Sequence, residues 1–524
     1  MSQLALIQQE LDSPTDGISL HVTRKHVHAT WARTFSSVPE LYFQPESVEE
    51  VQKILRLAHR CRRRVVTTGS GHSPSHLTCT SHWLVNLDKL NAILETNAEA
   101  NQVRVQAGIR LRDLCAELDK RDLDMRNLGS INDQSIAGVI STGTHGSSLR
   151  HGLVSQNVLS FKIVIADGSI KECSESTNNE LFRAGLISLG ALGIIVEVTY
   201  QAVPNFRLHW RQTIDSDRRL FSQWGTDFWS QGEFIRVWWL PHSRRAITWS
   251  ADRTDEPDTK LPYSFFDGAV GYYLYHNLLY LGHWFPRILP WVEKLVFGLQ
   301  YSFTNGKTSS AVQPSRKALL LNCLYSQYVN EWALPLEKGP EALRRLSTWL
   351  NNLPPNDPDY LEHGIPYENK GIFVHAPLEV RVTNSVPETS EEVNARPFLD
   401  SSVADGPTLY LNATLYRPYH RDPVCRQPYY EAFEYLMKDL GARPHWAKNF
   451  LADKSDIEGM YGEDLERWRK VREEVDPEGM FVGPWHREKV LGGGAPLPLE
   501  EALEEGSMKK DWMNARRMVG KVRD

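Results

Sequence analysis

The stretch Thr67-Thr68-Gly69-Ser70-Gly71-His72-Ser73-Pro74 crowds two glycines, several hydroxyls and an imidazole into one turn. Such a turn lets successive backbone N–H groups face a single anion, which is how a nest holds a phosphate or pyrophosphate. No Gly-Lys-Ser/Thr follows, so the turn is not a P-loop, and its spacing is not that of the dinucleotide fingerprint G-x-G-x-x-G. A second stretch runs through Gly129-Ser130 and then Gln134-Ser135-Ile136-Ala137-Gly138-Val139-Ile140-Ser141-Thr142-Gly143-Thr144-His145-Gly146-Ser147. Small and hydroxyl residues at that density let backbone approach a flat or phosphorylated ligand. The third, Gly190-Ala191-Leu192-Gly193-Ile194-Ile195, is a glycine turn entering an apolar strand and is uninformative alone.

Two charged groups lie farther along. Glu379-Val380-Arg381 falls in a stretch that reads as a strand. Residues i and i+2 of a strand share a side, so Glu379 and Arg381 face one way, with Leu378 and Val380 turned to the other. Spacing alone equally describes a solvated strand face with alternating charges. His445-Trp446-Ala447-Lys448 carries a lysine that, on its own, reads as a solvent residue at a helix start.

The elements that must position these groups change texture along the chain. After a short N-terminal extension over 1–27, residues 28–205 read as one α/β or α+β domain. Ser47 caps a helix of about four turns, with Glu49 and Glu50 in its first turn. Strands and helices then alternate to about residue 205. Residues 206–435 are rich in Trp, Tyr and Pro and read as a second domain on an antiparallel sheet, with helices around 340–352 and 427–440. Residues 436–490 read as a short loop-rich return, and 491–524 as a surface tail. Within the second domain, residues 268–286 hold no Asp, Glu, Lys or Arg in nineteen positions. The length is near that of a membrane span. With the apolar stretch to residue 303 it suggests either a helical hairpin on a bilayer surface or a buried aromatic core.

Composition narrows the classes. The chain has 524 residues, 59 Lys plus Arg, 65 Asp plus Glu and a net charge of −6. That balance argues against a dedicated nucleic-acid binder. None of the six cysteines forms a C-x-x-C pair, so neither a zinc site nor a dithiol motif is expected, and no metal ligands are assigned. The N-terminus lacks a basic start followed by an apolar core, so no secretory signal is expected there.

Together the three glycine-rich loops resemble the FAD-binding domain of the vanillyl-alcohol oxidase family, and within it the sugar-1,4-lactone oxidases. Trp31-Ala32-Arg33-Thr34-Phe35, Asn86-Leu87-Asp88, Glu379-Val380-Arg381 and His445-Trp446-Ala447-Lys448 join them in that likeness, which covers most of residues 28–490. The resemblance implies an α+β, two-domain flavoprotein: an FAD-binding domain plus a cap domain with an antiparallel sheet. It implies FAD bonded through His72. It places Thr68, Gly69, Ser70, Gly71, Ser73, Gly129, Ser130, Ser135, Gly138, Ser141, Thr142, Gly143, Thr144, His145, Gly146, Gly193, Ile195 and His445 at the cofactor. It makes Glu379, Arg381 and Lys448 the catalytic group. Lys448 is either a cation for the reduced flavin or the acceptor of the substrate proton. Glu331-Trp332-Ala333 also matches, in a structural role.

The activity implied is oxidation of an aldono-1,4-lactone at C2, with D-arabinono-1,4-lactone the expected substrate and dioxygen the acceptor, giving hydrogen peroxide and an ascorbate-type enediol. A flavin dehydrogenase, or an alditol or oligosaccharide oxidase, is the alternative within the fold. A membrane-surface scaffold with an inactive flavin fold is the alternative outside enzymes. The relatives also imply a mitochondrial membrane location, or otherwise a membrane reached from the cytoplasmic side.

Overall fold

The computed structural model describes residues 3–492 apart from 13, 15, 322–324, 376 and 387–395. The expected tail at 491–524 lies, from residue 493 on, outside the described residues.

Three sheets carry the loops. In the first, Val65–Thr68 and Leu41–Phe43 lie parallel on either side of Trp83–Asn86. The helix Val48–Arg60 connects the two outer strands. Ser47 caps it by accepting from the Glu50 N–H at 3.2 Å, and Glu49 and Glu50 occupy its first turn. Acidic groups there meet the positive end of the helix dipole. Val51, Ile54, Leu55 and Ala58 form its buried stripe, with the spacing an amphipathic helix requires. Thr68 ends its strand, and the Gly-His-Ser loop starts at once.

The second sheet is antiparallel: Ile170–Ser174, Val158–Val164, Ile194–Gln201, Gln102–Gln106 and Ile93–Asn97 in spatial order. Gly193 delivers the chain into its central strand. Its φ of +142° suits only glycine, and an added Cβ would lie 2.5 Å from the Val164 carbonyl oxygen.

The third sheet has eight antiparallel strands: Lys307–Pro314, Arg207–Ser216, Arg245–Thr254, Phe234–Leu240, Leu378–Thr383, Thr408–Tyr416, Gln327–Pro335 and Arg443–Pro444. Trp332, Leu411, Val380 and Val237 are buried and point to one side of it, by strand register. The other side carries the charged residues described below. Helices Gly339–Asn351 and Arg426–Asp439 match the two expected from the sequence.

One expectation needs correction. Residues 436–490 are not mainly loop: Lys454–Val475 is a helix of 22 residues, interrupted at Gly462 with φ 50°. Ile457, Tyr461, Leu465, Trp468 and Val471 bury one stripe at helical spacing. The segment does return to the first sheet, where the Val65 N–H donates to the Met480 carbonyl at 2.9 Å.

Residues 268–303 form two helices, Ala269–Trp284 and Leu289–Tyr301, joined by a short turn. Tyr275, Leu279, Leu289, Val292 and Val296 pack between them and against Tyr325. Their outer sides expose Trp284 by 58%, Phe285 by 61% and Trp291 by 57%. The segment is therefore only half a core. Among the described residues no helix is long and apolar enough to cross a membrane.

Candidate active site

The Gly-His-Ser loop and the second loop line one cavity of about 890 Å³, part of it open to solvent. Thr68, Gly69, Ser70, Gly71, His72 and Ser73 form one wall; Ser135, Gly138, Ser141 and Thr142 form another; Gly193 and Ile195 close the far side. Gln134 and Gly190, from the second and third stretches, also line it, as do Phe481 and His486, which the sequence did not single out. The walls touch at one point, because a Cβ on Gly69 would strike the Ser135 hydroxyl. Ser135 accepts from the Gly138 N–H at 3.4 Å and so caps the helix Ile136–Ser141. Gly71 has φ +67°, a left-handed conformation, and its carbonyl accepts from the Trp31 N–H at 2.7 Å.

His72 sits within this cavity with its ring 5.3 Å from that of Trp31. Burial pushes its pKa down to about 4, aided by the charges of Arg110 and Lys448 and opposed by Asp133. The ring is thus neutral at pH 7, the form in which an imidazole nitrogen is nucleophilic. His72 Nδ1 and Thr67 Oγ1, both in the cavity lining, are buried without a hydrogen-bond partner among the described residues. A buried polar atom left so is costly, and a phosphorylated cofactor with a flat ring would give such atoms partners. The cavity therefore fits FAD.

Gly129, Ser130, Gly143, Thr144, His145, Gly146 and His445 lie outside that lining. Thr144 to Ser148 run instead toward the eight-stranded sheet. Strands Phe234–Leu240 and Leu378–Thr383 pair as far as Arg236 opposite Arg381, and then part. Ser147 and Ser148 fill the gap. The Ile235 N–H donates to the Ser147 carbonyl at 3.1 Å, the Ser148 N–H donates to the Val382 carbonyl at 2.8 Å, and the Ser147 hydroxyl bonds the Ile235 carbonyl. The second loop thus ends as a wedge in the sheet that carries the charged pair.

Glu379 and Arg381 lie on one face of that sheet, ion-paired to each other, with side chains 12% and 10% exposed. The face is covered, so the solvated-strand reading does not apply. Strand register sets two rows across it. Glu331, Asn412 and Glu379 are successive partners in one row; Ala333, Tyr410, Arg381 and Arg236 are successive partners in the next. Neighbouring strands lie about 4.8 Å apart, so each row is a ladder of side chains at that interval. Arg236 is fully buried, and its pKa falls to about 9 through burial and the neighbouring Arg381 charge. Its guanidinium donates to the Leu319 carbonyl at 2.6 Å. Asn412 and Arg236 were not selected from the sequence. Their strands carry none of the residues the sequence singled out, and the pairing that aligns them with Glu379 and Arg381 could not be read locally.

Lys448 reaches the same face from the sheet's edge. The segment from Arg443 to Asn449 runs along strand Gln327–Pro335, with the His445 N–H donating to the Glu331 carbonyl at 2.9 Å and the Asn449 N–H to the Val329 carbonyl at 2.7 Å. This places Lys448 Nζ 3.3 Å from the Glu331 carboxylate. Asn449 Nδ2 donates to the Pro74 carbonyl at 2.9 Å, joining this segment to the Gly-His-Ser loop. Arg417 donates to the Ala32 and Arg33 carbonyls, each at 3.0 Å, and makes a second join. The cavity with His72 and the charged sheet face therefore adjoin.

Comparison with known proteins agrees with this architecture. The family model described as D-arabinono-1,4-lactone oxidase matches residues 198–489, and the one described as FAD binding domain matches residues 39–174. A protein of Neurospora crassa is 57% identical over 508 residues, covering 94% of this chain and 91% of its own length. The D-arabinono-1,4-lactone oxidase of Yarrowia lipolytica is 39% identical, covering 88% of this chain and 96% of its own. The L-gulonolactone oxidase of Scyliorhinus torazame is 36% identical, covering 86% and 95%. Among solved structures, a cholesterol oxidase from B. sterolicum superposes with a TM-score of 0.73 at 16% identity, covering 90% of this chain and 97% of that one, which shows the shared fold. With a matching family model over more than half its length, and relatives this similar end to end, the chain belongs to the D-arabinono-1,4-lactone oxidase family.

Proposed function

We propose that this chain is an FAD-dependent oxidase of aldono-1,4-lactones, acting on D-arabinono-1,4-lactone at C2, with the cofactor bonded to His72. When bound, FAD supplies the two-electron chemistry, a hydride acceptor for C2 and a donor to dioxygen. The chain supplies the rest. Arg381 faces the substrate oxygen at C2 and stabilises negative charge there as the hydroxyl proton leaves. Glu379 holds Arg381 in place and accepts a hydrogen bond from a ring hydroxyl through Oε1, a buried oxygen with no donor among the described residues. Lys448 contributes a positive charge beside the cavity, felt at His72. One observation carries the reading: the loop that ends the cofactor cavity is hydrogen-bonded into the very strand that carries Glu379 and Arg381.

Anaerobic addition of D-arabinono-1,4-lactone tests it directly. Bleaching of the oxidised flavin band supports the reading; an unchanged spectrum with flavin bound overturns it. Oxygen consumption set against cytochrome c reduction separates an oxidase from a dehydrogenase.

For location, we propose that the hairpin Ala269–Tyr301 lies on a membrane surface, that of the mitochondrion, without crossing it. What supports this is its outer face of Trp284, Phe285 and Trp291, with aromatic side chains of the kind that settle at a headgroup boundary. Arg421 rests over the Tyr280 and Trp284 rings, which sets a cation beside that face.

A further inference from the structure

We infer that His145 is held as an imidazolium and that Glu331 is a positioning residue, the buried counter-ion that keeps His145 and the Lys448 ammonium together beneath the charged sheet face. The inference rests in part on the flavin reading above, because it says what the cluster is for.

The protonation state follows from what the two ring nitrogens face. His145 Nδ1 lies 2.9 Å from the Gly146 carbonyl oxygen. A carbonyl only accepts, so Nδ1 carries a proton. Nε2 lies 3.4 Å from Glu331 Oε1. A neutral ring would leave an unprotonated nitrogen beside an anionic oxygen that has no hydrogen-bond donor among the described residues, with both side chains only 2% exposed. A proton on Nε2 turns that repulsion into an ion pair. The remaining possibility is a neutral Glu331 donating to Nε2. The Lys448 ammonium, 3.3 Å from the other carboxylate oxygen, opposes it. The Glu331 carboxyl is accordingly held well below its usual range, the cost of burial being outweighed by Lys448 and by His145.

Tyr410, on the adjacent strand, stacks on the His145 ring at 3.6 Å and 17°, an arrangement that favours a cationic ring over its face. Burial raises the Tyr410 hydroxyl far above its ordinary range, so it brings no charge. His445, with its ring 5.5 Å away, accepts the Ala447 N–H at Nδ1 and is pushed well below the usual imidazole range by burial. It is neutral. The Arg381 charge is felt at His445 and adds to the same positive side.

Histidine, glutamate and histidine at 145, 331 and 445 also bring ligand atoms within 4.8 Å of one another, as a metal site would. Here Lys448 already supplies the cation at Glu331. With one carboxylate and two cations, the cluster keeps one net positive charge in a site shielded from water. Such a charge stabilises negative charge developing nearby. Without Glu331, the two cations would face each other unscreened, and one would lose its proton or move away.

The test is a nitrogen spectrum of histidine in the selectively labelled holoprotein, with His145→Asn used to assign the signal. At about pH 7.5, where an unperturbed imidazole is mostly neutral, both ring nitrogens of His145 should be protonated. A neutral ring, in either tautomer, overturns the inference. So does a stoichiometric metal ion in the purified protein. Glu331→Gln should convert His145 to the neutral ring and slow flavin reduction by about 10²-fold with little change in KM, while Glu331→Asp keeps the imidazolium and most of the rate. Unchanged reduction and an unchanged His145 signal in Glu331→Gln would end the positioning role. Colourless protein with a doubly protonated His145 would instead sink the flavin reading and leave the charge assignment standing.

Discussion

The backbone N–H of Val382 donates to the hydroxyl of Ser147 at 3.1 Å, across 235 residues of chain. Together with the Ser148 N–H bond to the Val382 carbonyl, this bond ties the small-residue loop of the first domain to the strand that presents Glu379 and Arg381. The same hydroxyl also bonds the Ile235 carbonyl, so Ser147 closes the gap where two strands part. The cofactor cavity and the charged sheet face are thereby held as one unit.

Ser147→Ala should test that join. It leaves the Val382 N–H and the Ile235 carbonyl without their shared partner in a buried place, a loss of about 1–3 kcal/mol. We expect a lower midpoint of chemical unfolding, and slower flavin reduction because Arg381 is less firmly placed. A variant with unchanged stability and unchanged reduction would show that the wedge is incidental.

Arg381→Ala should leave FAD bound and slow anaerobic reduction by lactone about 10²–10³-fold, the range for removing a group that meets developing charge. Arg381→Lys keeps a positive charge but loses the planar fork, so it should recover only part of the rate. Rapid-mixing absorbance at the flavin band reads both. Equal rates in the wild-type and alanine proteins would remove Arg381 from the chemistry.

His72→Ala should release the flavin into the supernatant on acid precipitation, whereas the wild-type pellet should stay yellow and yield a flavin-modified peptide containing His72. The variant retains the loop nest and should still bind FAD reversibly. A wild-type pellet without colour would show that attachment is noncovalent.

Acid should destabilise the fold before its carboxylates titrate. Burial lowers the pKa of His28, His375 and His486 to about 4 and of His82 to about 3. The unfolded chain takes up these protons near pH 6.5 while the folded chain refuses them, so stability falls as pH drops from about 6.5 toward 4. His486 shows why: its Nδ1 accepts the Gly483 N–H at 3.0 Å and its Nε2 donates to the Leu189 carbonyl at 2.8 Å, a pattern open only to the neutral ring. Thermal unfolding at pH 7 and pH 5 should differ, and His486→Gln should narrow the difference while His28, His82 and His375 keep the rest. An equal melting temperature at both pH values would contradict this.

Placing glutamates at Leu281 and Trp284 should abolish flotation of the protein with anionic vesicles while leaving flavin content intact. Both side chains are exposed on the hairpin's outer face. Leu278 is a poorer choice, since it packs against the hairpin's own small core. Undiminished flotation would dismiss this face as the contact.

Local chemistry was legible in the residues themselves. The Ser47 cap with its acidic first turn, and the shared face of Glu379 and Arg381, follow from the periods of helix and strand. The helix Lys454–Val475 was missed, because its apolar stripe is sparse among many charges and is interrupted at Gly462. The Glu331 cluster was not legible in that way. Lys448 and His145 each lie more than a hundred residues from Glu331, and nothing in their local spacing says they meet.

What the sequence determined alone was therefore which residues could share a face or a loop, because backbone geometry links neighbours at fixed intervals. Which face is covered, which carboxylate meets which cation, and where a serine closes a split between strands were decided only by the tertiary structure. Burial and charge pairing are set by segments distant along the chain, and they exist only once the sheets have docked.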